Sequence, residues 1–403
     1  MENRIVRIFI FLILPLLLVL GCSDNVSNSD PDSSNDPDPP QEEVPPPAAE
    51  VGINVNGQYN VMDFNNVDRS GATWVRGFID FFQLYPDEGN IDADERIQKY
   101  LELHDKGYKN ILNLKWNFSD KSFPDTDSQE MQNYKDYLDK LLDKVWSSTD
   151  IIVVGNEPFI ESRQSERGNR LVVFYQEVAN HIRNYRSDSD HDIPIFIGAF
   201  NNLYLEGWRT DGVNDLMRFA RNNSWIAGVD LHIHHASMDQ IHEFIDYADL
   251  RIRDNQKLLI TEFSLKDYFR TKMDQDIPDE FATNYNRDTN MKNWEYLDSA
   301  LKDNVPRQEW VDYLSGSQWF ESRKNYLWDA YQIFLGYEKF HIANYALRQS
   351  YPFNQDFTSN TTPWILNGLF ANRTVRPDTA TGLDQTNYAW MDDFSRILED
   401  SQN

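Results

Sequence analysis

The chain has 403 residues, with 38 basic against 65 acidic side chains and a net charge of −27. Such a balance repels phosphate and excludes nucleic acid and anionic membrane surfaces as electrostatic partners. A single cysteine, Cys22, excludes intrachain disulfides, cysteine metal sites and a cysteine nucleophile in the body of the chain.

Residues 1–21 read as a targeting segment. Arg4 and Arg7 precede an apolar run, 8–20, too short to span a membrane comfortably as a mature helix. Val19-Leu20-Gly21-Cys22 resembles the processing motif of bacterial lipoproteins, with Val19 where leucine is usual. That resemblance implies cleavage before Cys22, a lipid on Cys22 and a membrane partner reached through that anchor. Ser23, where aspartate is absent, resembles proteins exported to an outer membrane. Residues 22–50 are almost wholly Ser, Asp, Asn, Pro and Glu, a disordered tether that cannot bury enough apolar surface to fold.

From 51 to 403, short apolar runs alternate with helical patterns. Strands are expected at 51–55, 73–80, 110–116, 150–156, 194–200, 227–234, 257–263 and 341–347. Helices are expected at 92–106, 128–147, 169–186, 211–222, 238–253 and 316–337. Strands apolar on both faces are what a parallel sheet requires. Eight alternations favour an α/β fold of the (β/α)8 TIM-barrel kind, a single domain, over an open doubly wound sheet, although periodicity does not itself show closure. No glycine-rich nucleotide fingerprint follows the first strand, and no cofactor is implied. Residues 267–307 are rich in Asp, Asn, Tyr and Lys and are expected to form a substrate-facing loop. The acidic pairs in 188–190 and 274–276 read as solvated loop charges rather than a calcium site.

Two apolar strands end in a carboxylate. Glu157 closes the fourth, in Gly155-Asn156-Glu157-Pro158, and Glu262 closes the seventh, in Ile260-Thr261-Glu262-Phe263. Barrel active sites assemble at the carboxyl ends of strands, and strands four and seven face one another across a barrel. Two carboxyl groups about 5–5.5 Å apart are what a retaining glycosidase needs. Arg76, in Val75-Arg76-Gly77, supplies a cation that would keep a carboxylate ionised. His232 and His234 share one strand face; with no third ligand spaced nearby, metal binding is not expected. Trp116 and Asn117 end the third strand and are expected to line a sugar site. Arg348, at the end of the eighth strand, is a candidate contact for an anionic sugar.

The Asn-Glu-Pro and the second strand-end glutamate together resemble clan A of the glycoside hydrolases, over about residues 51–370. That resemblance implies Glu157 as acid/base, Glu262 as nucleophile and Asn156 as a ligand of the sugar 2-hydroxyl. It implies that Arg76 supports the nucleophile, and it sets His232 and His234 in place of the clan's His-x-Tyr. One departure concerns the clan's tryptophan at the end of strand eight: residues 344–349 hold none, and Trp364 is the next. The expected activity is retaining hydrolysis of a β-linked polysaccharide, endo-acting and nearest to β-1,3-glucan-type enzymes. The alternatives are an exo-β-glycosidase on oligosaccharides and a non-catalytic glycan-binding surface lipoprotein.

Overall fold

The computed structural model describes residues 50–87, 89–350 and 357–401. The targeting segment, Cys22 and the tether up to residue 49 lie outside the described residues; Glu50, expected to end the tether, instead begins the first strand. No helix among the described residues is long and apolar enough to cross a membrane.

Eight parallel strands close into a barrel in chain order. They are β1 Glu50–Asn56, β2 Trp74–Asp80, β3 Lys109–Lys115, β4 Ile151–Val154, β5 Ile195–Asn201, β6 Ile226–His234, β7 Lys257–Ser264 and β8 Phe340–Ala346. Closure comes from β1 pairing with β8, Gly52 opposite Asn344. Gly52 is needed at that seam: a Cβ there would stand 2.5 Å from Asn344 Nδ2 and 2.6 Å from Trp74 Cβ. Each strand falls within a few residues of its expected place.

The outer helices follow from amphipathic spacing. In Gln129–Val145, Met131, Tyr134, Leu138, Leu141, Leu142 and Val145 recur at helical intervals and are buried. Ser128 starts this helix, its side chain accepting from the Met131 N–H, a cap that contributes about 1 kcal/mol. The helix expected at 316–337 is broken in two, Gln318–Glu321 and Tyr326–Leu335.

The barrel interior changes character from bottom to top. Trp74, Ile111, Ile151, Val153, Phe196, Leu259 and Ile342 form an apolar cluster of their own inside the strands. Two residues further along, the same strands carry Arg76, Asn113 and Asn344, all fully buried. The period of two thus lifts the interior from hydrocarbon to hydrogen-bonding groups, and the cleft opens above that polar layer.

Residues 267–307 differ from expectation. They contain the helices Asp279–Asn284 and Asn293–Lys302, whose Phe281 and Tyr296 pack with Trp310 and Tyr313 into an aromatic cluster. The aromatic side chains drive this insertion to bury itself, and none of it lines the central cleft.

Candidate active site

After β4 the backbone turns sharply. Gly155 has φ of 120° and Glu157 has φ of 51°. Only glycine fits at 155, since a Cβ would stand 2.0 Å from the Gly198 carbonyl oxygen. A non-glycine residue held in the left-handed region costs about 1–3 kcal/mol and is characteristic of functional sites. The turn is closed by the N–H groups of Ile160 and Glu161, which donate to the Glu157 carbonyl at 2.8 and 3.0 Å. It delivers the Glu157 carboxyl to the barrel mouth. There Asn201 of β5 donates Nδ2 to Oε1 at 2.6 Å, and Nδ1 of His232 lies 3.0 Å from the same oxygen. Both contacts engage Oε1, which leaves Oε2 for a ligand.

Arg76 of β2 ties the site together. Its fully buried guanidinium donates to Asn113 of β3 at 2.9 Å and Asn54 of β1 at 3.1 Å. It also donates to Asn156 at 2.6 Å and to Glu262 of β7 at 2.5 Å, and it stands 3.1 Å from His232 Nε2. Removing one member of such a buried charged set leaves the rest uncompensated, at about 3–5 kcal/mol. Asp230 of β6 braces the same layer, accepting from Asn113 at 2.9 Å and from the Thr261 hydroxyl at 2.7 Å.

The electrostatics separate the two carboxylates. Burial works to raise Glu262, but the charges of His232 and Arg76 outweigh it and hold the carboxyl well below the usual range. A general acid works best with a raised pKa, and Glu157 does not have one while His232 is charged. Burial and Glu262 push it up, but the hydrogen bond and charge of His232 bring it below its ordinary value. The reciprocal effect acts on His232, which burial would lower and which Glu262 and Glu157 raise. Burial lowers His234. Nε2 of His232 faces two groups: the Thr261 hydroxyl at 3.0 Å, whose proton goes to Asp230, and the Arg76 guanidinium at 3.1 Å, which can only donate. When His232 is charged, both ring nitrogens carry a proton, and one of the two lies in the His232–Glu157 contact. Its transfer to the carboxyl leaves His232 neutral and Glu157 in the acid form.

A cleft of about 740 Å³ covers this group. Of the residues singled out in the sequence, Asn156, Glu157, His234 and Glu262 line it, while Arg76 and His232 lie beneath. Three others are placed elsewhere. Trp116 is 1% exposed and stacks on Phe81 at 4.1 Å, with Phe174 at 5.2 Å. Lys115 lines the cleft, so strand alternation sends its neighbour away from it. Asn117 is exposed and accepts from the Ser119 N–H and hydroxyl. Arg348 donates to the Val61 carbonyl at 2.6 Å and pairs with Asp384 at 3.1 Å, a structural brace outside the cleft.

Other residues of the site were not singled out in the sequence. Trp364 reaches the cleft from the segment after β8 and packs edge-on against His234 at 4.9 Å. Asn54, Asn113 and Asp230 stand at alternate positions in otherwise apolar strands, a signal readable from sequence. Asn201 is the last residue of β5 and stands, like Glu157 and Glu262, at the carboxyl end of the barrel. Glu161 and Lys115 sit on the cleft wall, joined at 2.5 Å.

Glu157, His232, His234 and Glu262 each offer a ligand atom within 4.8 Å of the others, a set that spacing along one strand did not reveal. The Arg76 guanidinium already occupies Glu262 and faces His232, so a divalent cation would have to displace a buried cation.

The sequence matches no protein-family model and no curated protein. Its likeness is to solved structures. A family 39 glycoside hydrolase from the gut symbiont Bacteroides cellulosilyticus WH2 superposes with a TM-score of 0.50 at 11% identity, over 87% of this chain and 64% of that one. The chain therefore spans somewhat under two thirds of that protein's length. Xylanase 10B from Thermotoga maritima gives a TM-score of 0.50 at 9% identity, over 88% of this chain and 95% of that one. At such identities the likeness is one of fold, the closed eight-stranded barrel.

Proposed function

We propose that the chain is a retaining glycoside hydrolase acting on β-linked glycans. The observation that carries this reading is the approach of Glu157 and Glu262, each with a ligand atom within 4.8 Å of the other's, from strand ends across the barrel. Retaining enzymes hold their two carboxyl groups about 5–5.5 Å apart, inverting enzymes about 6.5–9.5 Å. Glu262, kept ionised by Arg76 and His232, attacks the anomeric carbon. Glu157, carrying the proton it shares with His232, protonates the leaving oxygen and then deprotonates the water that releases the glycosyl-enzyme.

The barrel of the solved structures, one a family 39 glycoside hydrolase and one a xylanase, supports a β-linked oligo- or polysaccharide as substrate. Endo-action on a polymer is the form we favour. The cleft adjoins a second basin of about 630 Å³, the two sharing Gly57, Gln83 and Arg96, so a chain of sugars can extend past the carboxylates. A lipid on Cys22 and the tether at 22–50 would hold the enzyme at the cell envelope, in reach of polymers that cannot enter the cell.

The test is chemical rescue. Glu157→Ala is assayed on activated aryl β-glycosides with and without azide. Rescue with formation of a β-glycosyl azide is expected; failure of rescue removes Glu157 from the acid/base role.

A further inference from the structure

Glu161 lies four residues after Glu157, is 7% exposed and sits on the wall of the same cleft. Its Oε1 accepts from Lys115 Nζ at 2.5 Å and from Asn156 Nδ2 at 2.9 Å. The other end of the Asn156 amide, Oδ1, accepts from Arg76 at 2.6 Å. A guanidinium can only donate. Arg76 therefore fixes the oxygen of Asn156 towards itself, and Glu161 fixes the nitrogen on the far side. Flipping the amide would set N–H against N–H at one end and oxygen against oxygen at the other. One N–H of Asn156 is left, beside the cleft.

The backbone holds Glu161 in this place from two sides. Its N–H donates to the Glu157 carbonyl at 3.0 Å, and its own carbonyl accepts from Phe118, just beyond β3, at 2.7 Å. The carboxyl is expensive to keep there. Burial pushes it up to about 8, against the pull of Lys115 and with the help of Glu157. An apolar side chain of the same length would remove that cost but leave Lys115 Nζ and the buried Asn156 Nδ2 without this acceptor.

We infer that Glu161 is a positioning residue: together with Lys115 it orients the Asn156 amide and so sets how the substrate seats between Glu157 and Glu262. The inference rests on the proposed roles of those two glutamates, and it concerns a side chain that does not itself touch the reacting atoms. Its reach and its acceptor oxygen matter, whereas its charge does not. Lys115 donates to the same Oε1, so the oxygen that Asn156 uses is held by two donors and cannot swing into the cleft.

The test uses the full chain and the 4-nitrophenyl β-glycoside that it hydrolyses fastest in a panel of such glycosides. Glu161→Met keeps the length and packing but removes the acceptor. It is expected to lose about 10–100-fold in kcat/KM, as a slightly misplaced contact does, while the chain stays folded at the assay temperature. Glu161→Gln keeps the acceptor and is expected to stay within a few-fold of the unsubstituted chain. In an Asn156→Ala background, Glu161→Met is expected to cost nothing further, because the two act as one unit. Additive losses overturn the inference, as does a Glu161→Gln variant as impaired as Glu161→Met. A loss of activity that tracks the unfolded fraction at the assay temperature also overturns it, since that marks a structural role. Azide rescue of Glu157→Ala is run alongside. Rescue with additive losses sinks the role of Glu161 alone; no rescue removes Glu157 from the acid/base role and with it the reading on which the inference rests.

Discussion

His232 Nδ1 lies 3.0 Å from Glu157 Oε1, and the hydrogen bond between them holds one proton. This contact decides which form of Glu157 the free enzyme presents. A charged His232 keeps the carboxyl ionised; a neutral one leaves burial and Glu262 to raise it. The pair, rather than either residue, is the titrating unit.

The alkaline limb of kcat/KM reports loss of that shared proton. Glu262 and Glu157 raise His232 above 6.5 against burial, so the limb is expected above that pH. His232→Gln removes the basic ring nitrogen that keeps the proton at the site. The limb should move to lower pH, and the maximal rate should fall about 100-fold, the scale of general acid–base assistance. Measured pH–rate profiles decide it: an alkaline limb that stays in place would show that His232 shares no proton with Glu157.

Much of the site was legible in the sequence because the barrel converts strand position into location. Glu157 and Glu262 each follow an apolar strand, so their meeting at one barrel mouth follows from topology. Arg76, His232 and Asp230 obey the period of two that places polar side chains above the apolar layer. The same rule explains the misplacement of Trp116: Lys115 takes the cleft side, so the next residue turns into the helix layer. Trp364 was not legible as part of the site. It reaches the cleft through an irregular segment after β8, and no periodicity specifies where such a segment returns. The insertion at 267–307 looked polar enough to face substrate, but its aromatic residues, spread along the chain, assemble into a core of their own.

The two tryptophans therefore predict opposite phenotypes. Trp116→Ala removes a ring packed against Phe81 and Phe174 and should cost about 3–5 kcal/mol of stability. The activity of its folded fraction should change little. Trp364→Ala should lower kcat/KM roughly tenfold or more through lost contact with a sugar, with little change in melting temperature, because the ring stands at the cleft and is half-buried. Thermal melts and steady-state kinetics on both variants separate the two. A Trp364→Ala variant with unchanged kinetics would remove that ring from the substrate path.

The Glu161 carboxyl makes a prediction about stability that is independent of catalysis. Its folded value of about 8 lies above its ordinary 4.5, chiefly through burial. Between those two pH values the folded chain holds a proton that the unfolded chain releases. Stability contributed by this group is therefore fully present below about 4.5 and is lost progressively as pH rises to about 8. Glu161→Gln has nothing to titrate there. The difference in melting temperature, Glu161→Gln minus the unsubstituted chain, cancels the titrations common to both. It should increase from about pH 5 to about pH 8 and stay level above that, the full change corresponding to a few kcal/mol of stability. Lys115, bonded at 2.5 Å, opposes this trend by favouring the carboxylate. A difference that is flat across the whole range would mean that Lys115 has won, and that Glu161 is ionised in the folded chain at every pH where it is ionised in the unfolded one.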